Sequence, residues 1–233
     1  MTGYYEPELN AFKKKGKKRY PIYSNPEKFR IKGLSNKTRE EINKGALDNK
    51  GLEIAWAESE IEVFFLQVQG SGRLKLENGE IIKVRYAGNN NKPYTSIGKI
   101  LKDENKITKE NISMFTIKNW LYKNKKEARK IMERNERYIY FEKYKGNIKG
   151  SSNFILKPNI SIAVDPQFHK PGTIFIIKEA NNKSKPFLAI AHDRGAAIKG
   201  KNRIDLFTGF GKKAEKKAAE LSSKIYIWKL KPR

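Results

Sequence analysis

The stretch Ala191 to Gly211, AHDRGAAIKGKNRIDLFTGFG, decides how this chain is read. The apolar run Phe187 to Ala191 stops at Asp193. A small-residue segment, Gly195 to Ala197, leads into Ile198-Lys199-Gly200 and the basic tripeptide Lys201-Asn202-Arg203. A second acid, Asp205, then sits inside Ile204-Asp205-Leu206-Phe207, and glycines return at Gly209 and Gly211. An acid within an apolar segment is costly unless it is hydrogen-bonded or used chemically. Glycine lets backbone come close to a ligand. Two such acids joined by glycines read as a site.

Around that stretch the pattern is one of short strands. Ile160 to Asp165 ends in Asp165-Pro166, and Lys170 to Thr173 is a turn. Ile174 to Lys178, Phe187 to His192 and Ile225 to Leu230 follow as strands. Lys212 to Leu221 reads as a helix with Ala214, Ala218 and Leu221 on one face. Towards the N-terminus, Pro21 to Tyr23 and Ile54 to Trp56 are short strands. Thr38 to Leu47 is a helix that Thr38 and Glu41 open as a capping box. Ile61 to Gln69, IEVFFLQVQ, reads as a strand from its β-branched and aromatic content. Leu74 to Leu76 and Ile81 to Tyr86, joined at Asn78-Gly79, form a hairpin, followed by a loop at Ala87 to Asn91. Ser113 to Tyr122 is helical, and Asn124 with Glu127 makes a second capping-box pattern for a helix to about Arg134. Tyr138 to Glu142 returns to strand. The polar segment Lys143 to Ser152 is the candidate domain crossing.

Composition narrows the function. With 233 residues the chain can bury one large core or two small ones. No apolar run is long enough to span a bilayer. Cysteine is absent, which excludes disulfides, thiolate metal sites and a cysteine nucleophile. Met1 to Tyr5 has no basic-then-apolar export signal, so the expectation is a cytoplasmic protein or a chain without its natural N-terminal part. The net charge of +25 draws polyanions: nucleic acid, an anionic membrane or an anionic wall polymer. The lysines are spread along the chain rather than gathered on one recognition element, which argues against dedicated nucleic-acid binding.

Asp165, Asp193 and Asp205 each interrupt or end an apolar segment, and their concentration in one region favours a shared cleft. The only histidines, His169 and His192, suggest neither a Ser/His/Asp arrangement nor a metal site, and no Gly-x-x-x-x-Gly-Lys-Ser/Thr phosphate loop is present. Gly209-Phe210-Gly211 before a helix is a weak anion-site signal and reads equally as a strand-to-helix turn. Cleavage of a glycosidic bond would use such acids, because a buried carboxyl can hold the proton that the leaving oxygen needs. Hydrolysis calls for a second carboxylate, whereas a reaction without water needs one acid that later acts as base; the pattern alone leaves both open. Tyr4-Tyr5, Gln69-Gly70-Ser71-Gly72 and Tyr86-Ala87-Gly88 suit a sugar groove, or equally core tyrosines and ordinary turns.

Taken together, Thr2-Gly3-Tyr4-Tyr5-Glu6-Pro7, Val68-Gln69-Gly70-Ser71-Gly72, Tyr86-Ala87-Gly88-Asn89, Tyr94 to Gly98, Ser113-Met114, Pro171-Gly172-Thr173 and Asp193 to Gly200 with Asp205 resemble the membrane-bound lytic murein transglycosylase A family. The matches come in the family's order over nearly the whole chain. The resemblance implies a mainly β protein: a double-psi β-barrel with a smaller inserted β-barrel, a few helices, and a substrate groove between the two. It places the catalytic barrel in residues 1–7 and 147–233 and the insertion in 8–146. It implies cleavage of the β-1,4 MurNAc–GlcNAc bond of peptidoglycan to 1,6-anhydro-MurNAc ends, with no cofactor or metal.

By position Asp205 matches the catalytic aspartate, Asp193 the aspartate opening the Asp-x-Gly-Gly-Ala-Ile-Lys-Gly motif, and Asp165 a third acid. Gly3, Tyr4, Tyr5, Gln69, Gly70, Ser71, Gly72, Tyr86, Gly88, Gly195 and Lys199 are the implied substrate-binding residues. The implied partners are peptidoglycan glycan strands and cell-wall enzyme complexes, with no nucleic acid, for a monomer in the periplasm or at the outer membrane. Ala196 departs from the motif's second glycine. A non-catalytic glycan-binding barrel and a basic nucleic-acid-binding protein are the alternative readings.

Overall fold

A computed structural model describes residues 1–31, 33–108, 112–180 and 185–230. It divides into two units, Met1–Glu6 with Gly146–Arg233, and Pro7–Lys145. The first strand, β1 (Thr2–Glu6), belongs to the first unit, and the chain then enters the second.

The second unit holds β2 (Glu8–Phe12), β3 (Tyr20–Tyr23), β4 (Glu53–Ala57), β5 (Ser71–Leu76), β6 (Ile81–Asn89) and β7 (Ile139–Lys143) in the order β3-β4-β2-β5-β6-β7. A bridge between Ser24 and Phe141 joins the two edges of this sheet, so the strands form a closed ring. Closure removes the unpaired edges that invite aggregation. The Asn78-Gly79 hairpin forms between β5 and β6 as its sequence predicts, with Gly79 at φ +81°. The expected loop at residues 87–91 is shorter than read, because β6 continues through a bulge to Asn89 against β7.

Among the described residues, five α-helices accompany this barrel: α1 (Arg39–Asn43), α2 (Glu60–Gln69), α3 (Ile97–Asp103), α4 (Met114–Lys123) and α5 (Lys125–Glu133). Thr38 and Glu41 make the expected capping box of α1. Asn124 does not: its side chain makes no cap bond to α5 and instead donates to the carbonyl of Trp120 at the end of α4.

The strand reading of Ile61 to Gln69 is wrong, because the segment is helix α2. Val63 and Leu66 enter the barrel core with Leu9, Leu74 and Phe141. Ile61, Phe64 and Phe65 face a second cluster with Leu101, Leu121 and Ile131. A helix buried on two faces shows a near-continuous apolar run, which periodicity alone cannot tell from a buried strand. Gly70 ends it in a left-handed cap at φ +80°.

Past Lys145 the chain completes the first unit with β8 (Ser161–Ala163), β9 (Ile174–Glu179), β10 (Phe187–Asp193), β11 (Asp205–Phe210), α6 (Gly211–Glu220) and β12 (Ile225–Lys229). The order is β1-β11-β8-β10-β9-β12. β1 with β11, and β8 with β10, are parallel; the other pairs are antiparallel. A bridge from Thr2 to Ser222 and the bond from Ser223 N–H to the Met1 carbonyl bring the far edge back to β1. This is the double-psi β-barrel. Its interior is filled by alternate residues, Phe175 and Ile177 of β9 and Ala189 and Ala191 of β10, while Ile174 and Leu188 face outward. The protein is mainly β throughout.

Candidate active site

Strand register assembles the site. Thr2 pairs with Asp205 across β1 and β11, Asp205 pairs with Ala163 across β11 and β8, and Asp193 pairs with Ala163 across β10 and β8. Residues in register share a face of the sheet, so Thr2, Asp205, Ala163 and Asp193 form one row across four strands. Two inter-strand steps separate the acids, which sets their Cα atoms about 10 Å apart. Ala163, between them, is a small buried side chain.

Asp205 is partly buried, and its Oδ1 accepts a hydrogen bond of 2.5 Å from the Thr2 hydroxyl. Arg203 Nη2 donates in turn to Thr2 Oγ1 at 2.9 Å. Burial raises the Asp205 carboxyl above the usual carboxylate range, and the nearby Asp193 charge adds to this; Thr2 and Arg203 work against it. The result is a carboxyl that holds its proton more tightly than a surface aspartate.

Asp193 is in a different environment. Its Oδ1 accepts from the backbone N–H groups of Ser151 and Arg194, both at 2.8 Å, and its Oδ2 accepts from the Tyr4 hydroxyl at 3.0 Å. Burial first, and then Asp193, push the Tyr4 phenol far above its ordinary value, so it remains a donor. The Tyr4 ring packs on Phe207, with centroids 5.3 Å apart. A cavity of about 130 Å³ opens beside Asp193, lined among others by Ser151, Val164, Pro166, His169 and Arg194.

The segment that supplies the Ser151 N–H is held tightly. A Cβ on Gly150 would lie 2.3 Å from the His192 carbonyl oxygen and 3.1 Å from Asp193 Cβ. Gly150→Ala is therefore expected to destabilise the protein by about 1–3 kcal/mol, read as a fall of several degrees in melting temperature. An unchanged melting curve would show that this segment yields freely.

Asp165 stands apart from the row. It is almost fully buried, and its two oxygens accept from the N–H groups of Gly200 at 2.8 Å and Gln167 at 3.1 Å. These bonds hold its carboxyl below the usual range. It ties the Lys199-Gly200 turn to the turn after β8. Lys199 itself is exposed. His192 stacks on Phe154 and bonds Ser161 Oγ through Nδ1, and His169 donates from Nε2 to the Lys201 carbonyl.

The other expected contacts have diverse settings. Tyr5 lies on the opposite side of β1 from Tyr4, buried, donating to Glu215 of α6 at 2.8 Å. Gly3 packs where a Cβ would come within 2.8 Å of the Ala218 backbone. Gly195 packs against Ile198. In the second unit, Gln69 and Gly70 end α2, Ser71 and Gly72 begin β5, and Gly72 fits against Leu66 and Pro7. Tyr86 is half exposed and accepts from Asn89, and Gly88 sits at the β6 bulge against Asn25. Gly209-Phe210-Gly211 is the turn from β11 into α6. Ala196 is exposed and outside the left-handed region, so its methyl group meets no obstacle. Sequence reading missed Thr2 as a partner of Asp205, and Arg203 behind it. The signals were Thr2 at the head of the Thr2 to Pro7 motif and a basic residue two positions before Asp205, neither of which shows the pairing by itself.

Among the described residues no three His, Asp or Glu side chains cluster as metal ligands, and no helix is long and apolar enough to cross a membrane.

Fold and site define a two-barrel β protein whose double-psi barrel carries, in one row, a partly buried aspartate with a raised pKa and a second aspartate that accepts three hydrogen bonds. Comparison with known proteins gives the family. The MltA specific insert domain matches residues 1–142 and the 3D domain residues 160–231. A membrane-bound lytic murein transglycosylase A homolog of Buchnera aphidicola is 37% identical over 99% of this chain and 66% of its own length. The membrane-bound lytic murein transglycosylase of Agrobacterium tumefaciens superposes with a TM-score of 0.91 at 31% identity, covering 99% of this chain and 73% of that one. Escherichia coli MltA with bound chitohexaose gives 0.84 at 31% identity, covering 98% and 71%. The chain belongs to the membrane-bound lytic murein transglycosylase A family. It spans slightly less than two thirds of the length of the curated relatives it matches.

Proposed function

We propose that this chain carries the catalytic site of a lytic transglycosylase that cuts the β-1,4 bond between MurNAc and GlcNAc in peptidoglycan. The observation that carries this reading is the Asp205 carboxyl, bonded to Thr2 through Oδ1 and raised above the usual carboxylate range by burial, set in one row with Asp193, which accepts three hydrogen bonds. Protonated Asp205 gives its proton to the glycosidic oxygen as the C1–O4 bond breaks, and GlcNAc leaves as the alcohol. Positive charge develops on the MurNAc ring. The sugar's own C6 hydroxyl closes on C1, and the Asp205 carboxylate takes its proton. The cycle ends with Asp205 protonated, a 1,6-anhydro-MurNAc end, and no water consumed. Asp193 favours the cationic state and strengthens the hold of Asp205 on its proton. Asp165 serves as the turn anchor rather than as a proton carrier.

Tyr4 positions Asp193, and the cavity beside Asp193 takes a substituent of the sugar. Tyr86 and the Gln69 to Gly72 segment are the glycan contacts assigned to the second unit. The bound chitohexaose of the E. coli relative supports glycan-strand binding. The net charge of +25 suits a polymer rich in carboxylates. The names of the relatives support a place in the cell envelope, and within it the proposed place is the periplasm or outer membrane.

Digestion of purified peptidoglycan with mass spectrometry of the products tests the proposal. Anhydro-muropeptides are expected. Reducing-end products would identify a hydrolase instead, and binding without turnover would identify a glycan-binding barrel.

A further inference from the structure

We infer that Thr2 and Arg203 act as positioning residues that decide which oxygen of Asp205 carries its proton: Oδ1 is locked as a hydrogen-bond acceptor, and the proton resides on Oδ2. The inference rests on the acid–base role proposed for Asp205. A guanidinium only donates, whereas a threonine hydroxyl has one proton to give and can accept. Arg203 Nη2 donates to Thr2 Oγ1 at 2.9 Å, so the hydroxyl's own proton is left to point elsewhere. It points to Asp205 Oδ1, at 2.5 Å. Oδ1 is therefore filled whether Asp205 is neutral or charged. Among the described residues, Oδ2 has no hydrogen-bond partner and is free for the substrate.

The relay does a second thing. The bond to Oδ1 is strongest when Asp205 is charged, because a carboxylate is the better acceptor. It therefore eases release of the proton in the acid step, and it keeps burial from making Asp205 too strong a base to release its proton again. An acid that becomes a base within one turnover needs such a balance. The other charged or titratable groups facing Asp205 are Asp193 of β10, Tyr4 of β1 and the α-amino group of Met1. All three stay constant if every variant keeps the same N-terminus.

The test is a carboxyl ¹³C NMR titration of Asp-labelled protein, with the Asp205 signal assigned by its loss in Asp205→Asn. Thr2→Val is nearly isosteric and removes the hydroxyl. It is expected to move the Asp205 titration upward by about one pH unit. Arg203→Met is expected to move it upward by less, and Thr2→Ser to leave it in place. The alkaline limb of murein cleavage, which reports loss of the acid's proton, should move by the same amount in each variant. Superimposable titrations of the wild type and Thr2→Val would overturn the relay, as would an upward shift in Thr2→Ser equal to that in Thr2→Val. Because Arg203 lies in a loop, its variant tests the idea even if the β1 variants fold poorly. Failure of the wild type to cleave murein would sink the proposed function, while the NMR titration still decides the relay.

Discussion

Asp205→Asn is expected to lower the rate of murein cleavage by about a thousandfold or more, because the proposed mechanism gives both proton transfers to this one carboxyl. Binding of chitooligosaccharides should change little, since asparagine keeps the shape and can still accept from Thr2 at Oδ1. A variant that kept even a tenth of the wild-type rate would remove Asp205 from the mechanism. The same variant carries a stability signature. The folded pKa of Asp205 is raised above its ordinary value of 3.8. The folded state therefore binds more protons than the unfolded state at pH values between the two, and stability falls as pH rises through that window. Below the ordinary value both states are protonated and nothing is lost; above the raised value the full cost of the buried charge is present. Asparagine never carries that charge. Asp205→Asn should thus melt higher than the wild type at neutral pH, with the gap closing in acid. A gap that widened in acid would contradict a raised carboxyl.

Phe175→Ala is expected to cost about 3–5 kcal/mol, the range for emptying a fully buried aromatic site. Phe175 has no exposed surface and lies in the double-psi core with Ile162, Ile177 and Ala191. Its ring also meets His169 edge-on, at 5.0 Å between centroids. His169 is buried beside the turn that Asp165 anchors, so loss of the ring loosens core and turn together. Urea unfolding with a probe in this unit should show the loss directly. A cost under about 1 kcal/mol would mean that the core closes over the gap, which a barrel fixed by backbone pairing on every strand is ill suited to do.

Strands β8, β9, β10 and β12 of the double-psi barrel were legible because each runs apolar for a short distance between turn residues, whereas β1 and β11 were not read as strands. The hairpin at Asn78-Gly79 and the Thr38–Glu41 capping box were legible because their chemistry is local. Asp193 and Asp205 were visible as charges set against apolar neighbours. Local pattern misled at Ile61 to Gln69, where a helix packed on both faces has the composition of a strand. It misled again at Asn124, whose amide found the Trp120 carbonyl nearer than the start of its own helix.

The chain by itself determined many of the short β elements, the acids and the family signature, since these depend on residue type and neighbouring positions. Only the tertiary structure decided which carboxyl is pushed above the usual range. Thr2 and Asp205 lie at opposite ends of the chain, and only the parallel pairing of β1 with β11 puts a hydroxyl on one oxygen of that carboxyl. Asp193 is reached in the same way, by Tyr4 from the first strand and by Ser151 from a loop. Proton affinity follows from burial and from partners distant in sequence. Asp165, Asp193 and Asp205 look alike in the sequence, and they differ once the barrel has closed around them.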